Sequence, residues 1–141
     1  MPSRERNFHI FYQLCAGASA QQQADWKIKD PRDFYYLNQS SCLEVDGMND
    51  GEEFLETMSA LNTLNFSTND QSNLLSIVAG ILHLGNIEFT SNSKDQASVT
   101  DASYSSLETA ADLLGVVGGA ETLGYALTSK IIHPPRADPI Q

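Results

Sequence analysis

Basic residues are scarce in this sequence and absent from its middle. The 141 residues include 8 Lys and Arg against 18 Asp and Glu, a formal net charge of −10. No Lys or Arg occurs from Asp33 to Ser93, a stretch that includes nine acidic residues, Asp33 among them. A nucleic-acid-binding protein needs a basic surface to neutralise phosphates, and anionic membranes attract basic segments. The composition therefore argues against both partners, and the simplest interpretation of the acidic middle is a solvated face.

Cysteines and long apolar runs are also few. Cys15 and Cys42 do not make a disulfide framework, and Cys15 falls on an apolar helical stripe, which predicts a buried thiol. The opening residues 1–4 contain no apolar signal segment, and no apolar run approaches the length of a membrane-spanning helix. We therefore expect no membrane insertion and an intracellular, reducing compartment.

The motifs of phosphate and metal chemistry are missing as well. The chain has no Gly-Lys dipeptide of the kind found in a phosphate-binding loop, and its pair Gly118-Gly119 has no cation nearby. His9, His83 and His133 are far apart, and none has a second ligand at metal-binding spacing. We expect no bound metal or cofactor, and we interpret His83, inside an apolar segment, as a structural histidine.

Three carboxylates, Glu52, Glu53 and Glu56, are close enough along the chain to suggest acid–base chemistry. No His, Lys or Arg lies near them to tune a pKa, and they fall in the first turns of a predicted helix, where the helix dipole favours acids. The dipole-compensating interpretation is simpler, so the sequence offers no catalytic residue.

The chain predicts a mostly α fold with one or two short strands. Asn7, Asn49 or Asp50, and Ser67 with Asp70 are candidate helix starts. Apolar residues occupy more than one face of 74–84, so this helix should be buried on most sides. The expected helices cover about 8–17, 20–26, 50–64, 67–85, 104–114 and 120–127. A strand is expected at 87–90, an exposed loop at 91–103, and a non-helical tail at 131–139, which carries three prolines.

Several segments, in the same order, resemble the motor domain of myosins. Residues 5–17 resemble the family's Gly-Glu-Arg-Asn-(Phe/Tyr)-His-Ile-Phe-Tyr-Gln-Leu-Leu-Ala-Gly. The chain departs from it at Cys15, in place of the second Leu, and at Ser3-Arg4 in the lead-in. Residues 36–42 resemble its Tyr-Leu-Asn-Gln-Ser-Gly-Cys, with Ser41 in place of Gly. Further similar segments follow at 54, 64–67, 81–87 and 126–130, so the resemblance spans nearly the whole chain.

The resemblance implies that residues 1–141 are a fragment of the α/β P-loop-type myosin motor head, from the upper 50-kDa subdomain that forms one wall of the actin-binding cleft. The phosphate loop and switch I precede this stretch in the family, and switch II follows it. The parent would be an actin-activated Mg-ATPase that moves on actin filaments. Since this chain lacks those pieces, we predict that it is inactive alone.

The resemblance also makes residues 128–141 a truncated cardiomyopathy-loop-like segment, an element that contacts actin in the family. Lys130, Arg136 and Asp138 are then candidate actin contacts; solvated side chains are the other interpretation of Lys130 and Arg136. The prolines at 134, 135 and 139 depart from the family's glycine-containing loop.

The implied partners are actin filaments and the rest of a myosin heavy chain, in a cytoplasmic, cytoskeleton-associated location. A fragment should expose apolar faces within Phe8–Leu14 and Leu74–Leu84, where the missing parts of the motor would pack. The alternative is a stand-alone helical protein-interaction module derived from a motor head. A small hydrolase, a third class, has no site in this sequence.

Overall fold

Six α-helices and one short hairpin form the regular structure of the residues described by the computed structural model, which are 5–91 and 96–129. The helices are α1 (His9–Gly17), α2 (Ala20–Asp25), α3 (Asp50–Thr63), α4 (Thr68–Gly85), α5 (Tyr104–Leu113) and α6 (Gly119–Thr128). Strands β1 (Phe89–Ser91) and β2 (Ala97–Val99) pair antiparallel, with Phe89 opposite Val99. Turns of 3-10 helix occupy Pro31–Asp33 and Asp101–Ser103. The predicted mostly α fold is confirmed.

The two longest helices begin where the sequence predicts. The side chain of Asn49 accepts hydrogen bonds from the backbone N–H groups of Gly51 and Glu52. At the start of a helix such N–H groups have no acceptor within the helix itself. At the start of α4, Ser67 and Asp70 form a reciprocal capping box. Glu52 and Glu53 lie in the first turn of α3, as the dipole interpretation expects. Local capping chemistry therefore fixes both starts.

The start of α1 differs from the prediction. The residue before the first turn is Phe8, which makes no side-chain cap, while the Asn7 side chain accepts from the Phe8 N–H and donates to the Tyr36 carbonyl. The prediction of Asn7 as the helix cap was wrong, because its amide connects the chain to the aromatic loop 34–37 instead.

The predicted exposed loop over 91–103 was wrong for 97–103. Residues Ala97–Val99 form β2, and Ser103 is 5% exposed at the end of a 3-10 turn. The Ser103 hydroxyl accepts from the backbone N–H of Glu88 at 2.9 Å. The pairing of β2 with β1 and the Ser103–Glu88 hydrogen bond both join residues that are separated in sequence. The Ser- and Asp-rich composition of the segment does not predict either contact.

The core lies where α1, α4 and loop 34–37 meet. Its largest fully buried side chains include Tyr12 and Leu14 of α1, Phe34 and Leu37 of the loop, and Leu75 and Leu82 of α4. Helix α3 packs so closely on α1 that a Cβ on Gly17 would collide with Phe54. Helix α5 packs on the other side of α4, where a Cβ on Gly80 would lie 2.8 Å from Leu114. Both glycines thus permit close helix packing.

Candidate functional site

One face of α4 is apolar and uncovered. Leu74, Ile77 and Ile81 are 42%, 48% and 36% exposed, and at spacings of three and four residues they lie along a single side of the helix. We call these three residues the outer stripe. Isolated exposed apolar residues are ordinary, but a contiguous row on one helix marks a surface that packs on something else.

The opposite side of α4 is completely packed. Leu75, Ala79 and Leu82 are at most 1% exposed. Gln71, near the start of this face, donates from its side chain to the Asn62 side chain and the Phe66 carbonyl, which ties α4 to the end of α3. The helix was expected to be buried on most sides. The structure packs this side and the side of Gly80 that faces α5, and it leaves the outer stripe open.

The predicted exposure of Phe8–Leu14 is confirmed only at its beginning. Phe8 is 77% exposed, whereas Tyr12 and Leu14 are at most 1% exposed and belong to the core. Phe8, immediately before α1, thus adds a second, smaller apolar surface. The sequence could not separate the two parts, since the exposed Phe8 and the buried residues 11–15 belong to one apolar run.

The entry to α1 is held by an ion pair that the sequence did not reveal. Both carboxylate oxygens of Asp50 accept hydrogen bonds from the Arg6 guanidinium at 2.8 Å. The Arg6 and Asp50 side chains are 3% and 15% exposed. The guanidinium also donates to the Leu43 carbonyl and lies 4.6 Å from the centre of the Tyr12 ring. Arg6 therefore connects α1, the connection before α3 and the first residue of α3.

The environment of Arg6 favours its charged form. The hydrogen bond that Arg6 donates to Asp50 raises the pKa of Arg6, and this outweighs the opposing effect of partial burial. A bidentate Arg–carboxylate pair has well-defined geometry as well as charge attraction. The two partners lie 44 residues apart, so no local pattern announces them.

Two further titratable groups are buried in the core. Burial raises the pKa of the Cys15 thiol to about 12, with smaller contributions from Asp30 and Asp50. The prediction of a buried thiol at Cys15 is confirmed. A thiol with so high a pKa is almost entirely protonated at neutral pH, so it is a poor nucleophile.

His83 is the structural histidine that the sequence predicts. Its Nε2 lies 3.0 Å from the Trp26 carbonyl oxygen, which can only accept, so Nε2 carries the hydrogen. Its ring meets the Phe34 ring edge-on at 5.4 Å. Burial lowers the pKa of His83; the Trp26 hydrogen bond opposes this shift, and the charges of Lys27 and Lys29 add to it. The residue thus serves to pack α4 against the chain after α2.

No group of three or more His, Cys, Asp or Glu side chains within residues 5–91 and 96–129 is placed to hold a metal ion. Over the same ranges, no helix is long and apolar enough to cross a membrane. The candidate actin contacts Lys130, Arg136 and Asp138 lie outside the described residues, so they remain predictions from the resemblance.

Comparison with known proteins gives one consistent family. A family model of the myosin head (motor domain) matches residues 1–137. The myosin IB heavy chain of Dictyostelium discoideum is 43% identical over 129 residues, which are 92% of this chain and 11% of that protein. Myosin-5 and Myosin-16 of Arabidopsis thaliana are 41% and 48% identical over 93% and 69% of this chain. The chain spans about a tenth of the length of these curated relatives.

Proposed function

Because the chain belongs to the myosin head (motor domain) family, we propose that it is one piece of a myosin motor and acts as a structural scaffold within it. The parent would be an actin-activated Mg-ATPase that produces movement on actin filaments, in the cytoplasm and associated with the cytoskeleton. The chain would contribute packed helices from the wall of the actin-binding cleft, while the nucleotide site would be formed by other parts of the heavy chain.

The uncovered outer stripe of α4 is the observation that carries this proposal. The helix has one side packed to 0–1% exposure at Leu75, Ala79 and Leu82 and a second apolar side open to water. Burying a Leu or Ile side chain is worth about 1.5–3 kcal/mol. A helix whose two sides are both apolar is typical of the interior of a larger protein. The missing cover would be the rest of the heavy chain.

A first experiment measures ATP hydrolysis by the purified 141-residue chain, with and without actin filaments. We expect turnover no higher than that of buffer and actin alone, because no phosphate-binding loop is present. Actin-stimulated turnover by the isolated chain would overturn the scaffold assignment.

A second experiment asks whether this sequence works inside a motor. The matching segment of the Dictyostelium relative would be replaced by residues 1–137 of this chain, and the actin-activated ATPase of the chimera would be measured. We expect the chimera to keep activity within about tenfold of the parent, since protein cores tolerate exchanges of apolar side chains that keep the total volume. A folded chimera without actin activation would contradict the proposal.

A stand-alone helical interaction module is the second candidate, and one observation favours it. Tyr12, Phe34, Leu82 and Leu107 are at most 2% exposed, so the inner core needs no further chain to close it. Sedimentation and thermal melting separate the two ideas. A module stays monomeric at high concentration and melts sharply, whereas a scaffold piece associates through its outer stripe as concentration rises.

A further inference from the structure

The connection before α3 brings a methionine sulfur against the buried guanidinium of Arg6. Nη2 of Arg6 lies 2.8 Å from Sδ of Met48, and the two residues are 42 positions apart in the sequence. A thioether sulfur is a weak hydrogen-bond acceptor, weaker than a carboxylate or carbonyl oxygen. The contact plays no part in the outer stripe or in the proposed scaffold role, and its chemistry changes when the sulfur is oxidised.

The Arg6 guanidinium has donors that its neighbours do not fully satisfy. Its two Nη atoms each lie 2.8 Å from an oxygen of Asp50, and Nη1 also donates to the Leu43 carbonyl at 3.3 Å. The Nε–H group is buried and has no acceptor among the described residues. Because the Arg6 side chain is only 3% exposed, bulk water barely reaches it. One donor therefore lacks a partner and another has only a sulfur atom, in surroundings where an unpaired donor is destabilising.

Met48 can be reached from solvent and has room to move. The residue is half-buried, and residues 44–47 just before it are exposed. Gly47 has a φ of +79°, and a Cβ placed on it would meet no atom within 4 Å, so the turn is open. A methionine side chain also has three rotatable bonds. A small oxidant can therefore approach the sulfur, and the side chain can withdraw so that an added oxygen takes the place of the sulfur beside Arg6.

We propose that Met48 is a site of reversible oxidation, at which a hydroperoxide converts the thioether to a sulfoxide and the Arg6 guanidinium holds the sulfoxide oxygen. With hydrogen peroxide, a sulfur lone pair attacks one oxygen, so that an S–O bond forms and the O–O bond breaks. The hydroxide that leaves takes the proton of the new S–OH group and departs as water. The sulfur is oxidised by two electrons and the peroxide is reduced by two.

The effect on stability should be the opposite of that of most methionine oxidations. A sulfoxide is polar, so it destabilises a chain when it forms against an apolar core. Met58 of α3 is such a case, because it is partly buried and packs against the core. At Met48 the new oxygen meets a cation with an unpaired donor, and hydrogen bonds to charged groups are among the stronger ones. Oxidation should therefore stabilise the fold at Met48 and destabilise it at Met58.

Two variants separate the two methionines. Met58→Leu keeps Met48, Met48→Leu keeps Met58, and both keep Met1 and the two cysteines. Each chain is treated with hydrogen peroxide, sulfoxide formation is checked by peptide mass spectrometry, and urea unfolding at low protein concentration gives the equilibrium constant for unfolding. The effect is taken as the change that methionine sulfoxide reductase reverses, which excludes a contribution from the cysteines.

Oxidation should lower the unfolding constant of the Met58→Leu chain about two- to tenfold, the gain from one net hydrogen bond. It should raise the unfolding constant of the Met48→Leu chain. A Met48 that peroxide does not oxidise in the folded chain would overturn the proposal. So would a Met48 sulfoxide that destabilises the chain or leaves its stability unchanged.

Glutamine at position 48 tests the acceptor without any oxidation. Its side chain is close to methionine in length and carries an amide oxygen, a stronger acceptor than a thioether sulfur. Met48→Gln should have an unfolding constant about two- to tenfold lower than Met48→Leu. The matched pair on α3 should behave in the opposite way, with Met58→Gln less stable than Met58→Leu. Equal stabilities of the two variants at position 48 would contradict the proposal.

Nitrogen-15 NMR of the arginine side chains locates the new contact. When the Met58→Leu chain is oxidised, the side-chain N–H signals of Arg6 should shift, and the reductase should return them. The signals of Arg32, which pairs with Asp30 at an exposed site, serve as the control and should stay in place. Stabilisation without a shift at Arg6, or equal shifts at both arginines, would show that the oxygen lies elsewhere, and the proposal would fail.

Discussion

The inward and outward sides of α4 are both apolar, yet only one is packed. Leu82, on the inner side, is fully buried, and Leu74, on the outer stripe, is 42% exposed. The same contrast divides the two ion pairs found within residues 5–91 and 96–129. Arg6 and Asp50 are 3% and 15% exposed, whereas Arg32 and Asp30 are 67% and 48% exposed. Residue type therefore does not distinguish a stabilising contact from an open surface that could bind a partner. The exposed fraction of the side chains distinguishes them.

Removing the buried side chain of Arg6 should give the largest loss of unfolding free energy. Arg6→Met leaves Asp50 charged and poorly solvated, so we expect the free energy of unfolding to fall by about 3–5 kcal/mol. The matched change Arg32→Met removes an exposed pair and should cost about 0–1 kcal/mol. Urea unfolding at low protein concentration, followed by circular dichroism, measures both. Similar losses of unfolding free energy in the two variants would contradict the distinction between the buried and the exposed ion pair.

The same substitution on the two sides of α4 comes next. Leu82→Ala removes fully buried side-chain atoms and leaves a cavity, with an expected loss of about 2–5 kcal/mol in the free energy of unfolding. Leu74→Ala, on the outer stripe, should cost about 1 kcal/mol or less in the isolated chain. The two variants lose identical atoms from one helix, which makes each the control for the other. An equal loss would mean that the outer stripe is also packed.

Acid should lower the free energy of unfolding through His83, which lies on the packed side of α4. Its pKa is lowered in the folded chain, so the folded state binds fewer protons than the unfolded state. The stabilising effect is complete above the unfolded pKa of about 6.5 and is lost as pH falls from there through the folded pKa. For one proton, the free energy of unfolding changes with pH by at most about 1.4 kcal/mol per pH unit, and this is the slope to be measured. His83→Gln should flatten it in unfolding curves measured between pH 7 and 5, and an unchanged slope would exclude His83 as its source.

The two cysteines give the smallest and simplest contrast. Burial raises the pKa of Cys15 to about 12, so little thiolate is available at pH 8. Cys42 is half-buried, which makes its sulfur easier to reach. A thiol-reactive dye should therefore label Cys42 first and Cys15 only after urea is added. Equal labelling rates in the native chain would show that the core around α1 opens readily.

Features set by neighbouring residues could be predicted from the sequence, and features set across the chain could not. Asn49 and the Ser67–Asp70 box act within four residues, and both helix starts are as predicted. The His83–Trp26 contact spans 57 residues, and the Arg6–Asp50 pair spans 44. Strand β2 depends on pairing with β1, so the Ser-rich segment 91–103 that contains it was mistaken for a loop. Likewise, apolar periodicity showed that α4 had two apolar sides without showing which one would be covered.

The most direct test of the central claim places a charge on the outer stripe inside a whole motor. Ile77→Lys would be introduced into the chimeric motor described above, with Ser72→Lys, at an exposed polar position of α4, as the matched control. If the stripe packs against the rest of the heavy chain, the lysine is buried without a partner. We predict that Ile77→Lys lowers actin-activated ATPase at least tenfold while Ser72→Lys leaves it within twofold. Full activity in the Ile77→Lys chimera would show that the stripe stays open to water and would contradict the account.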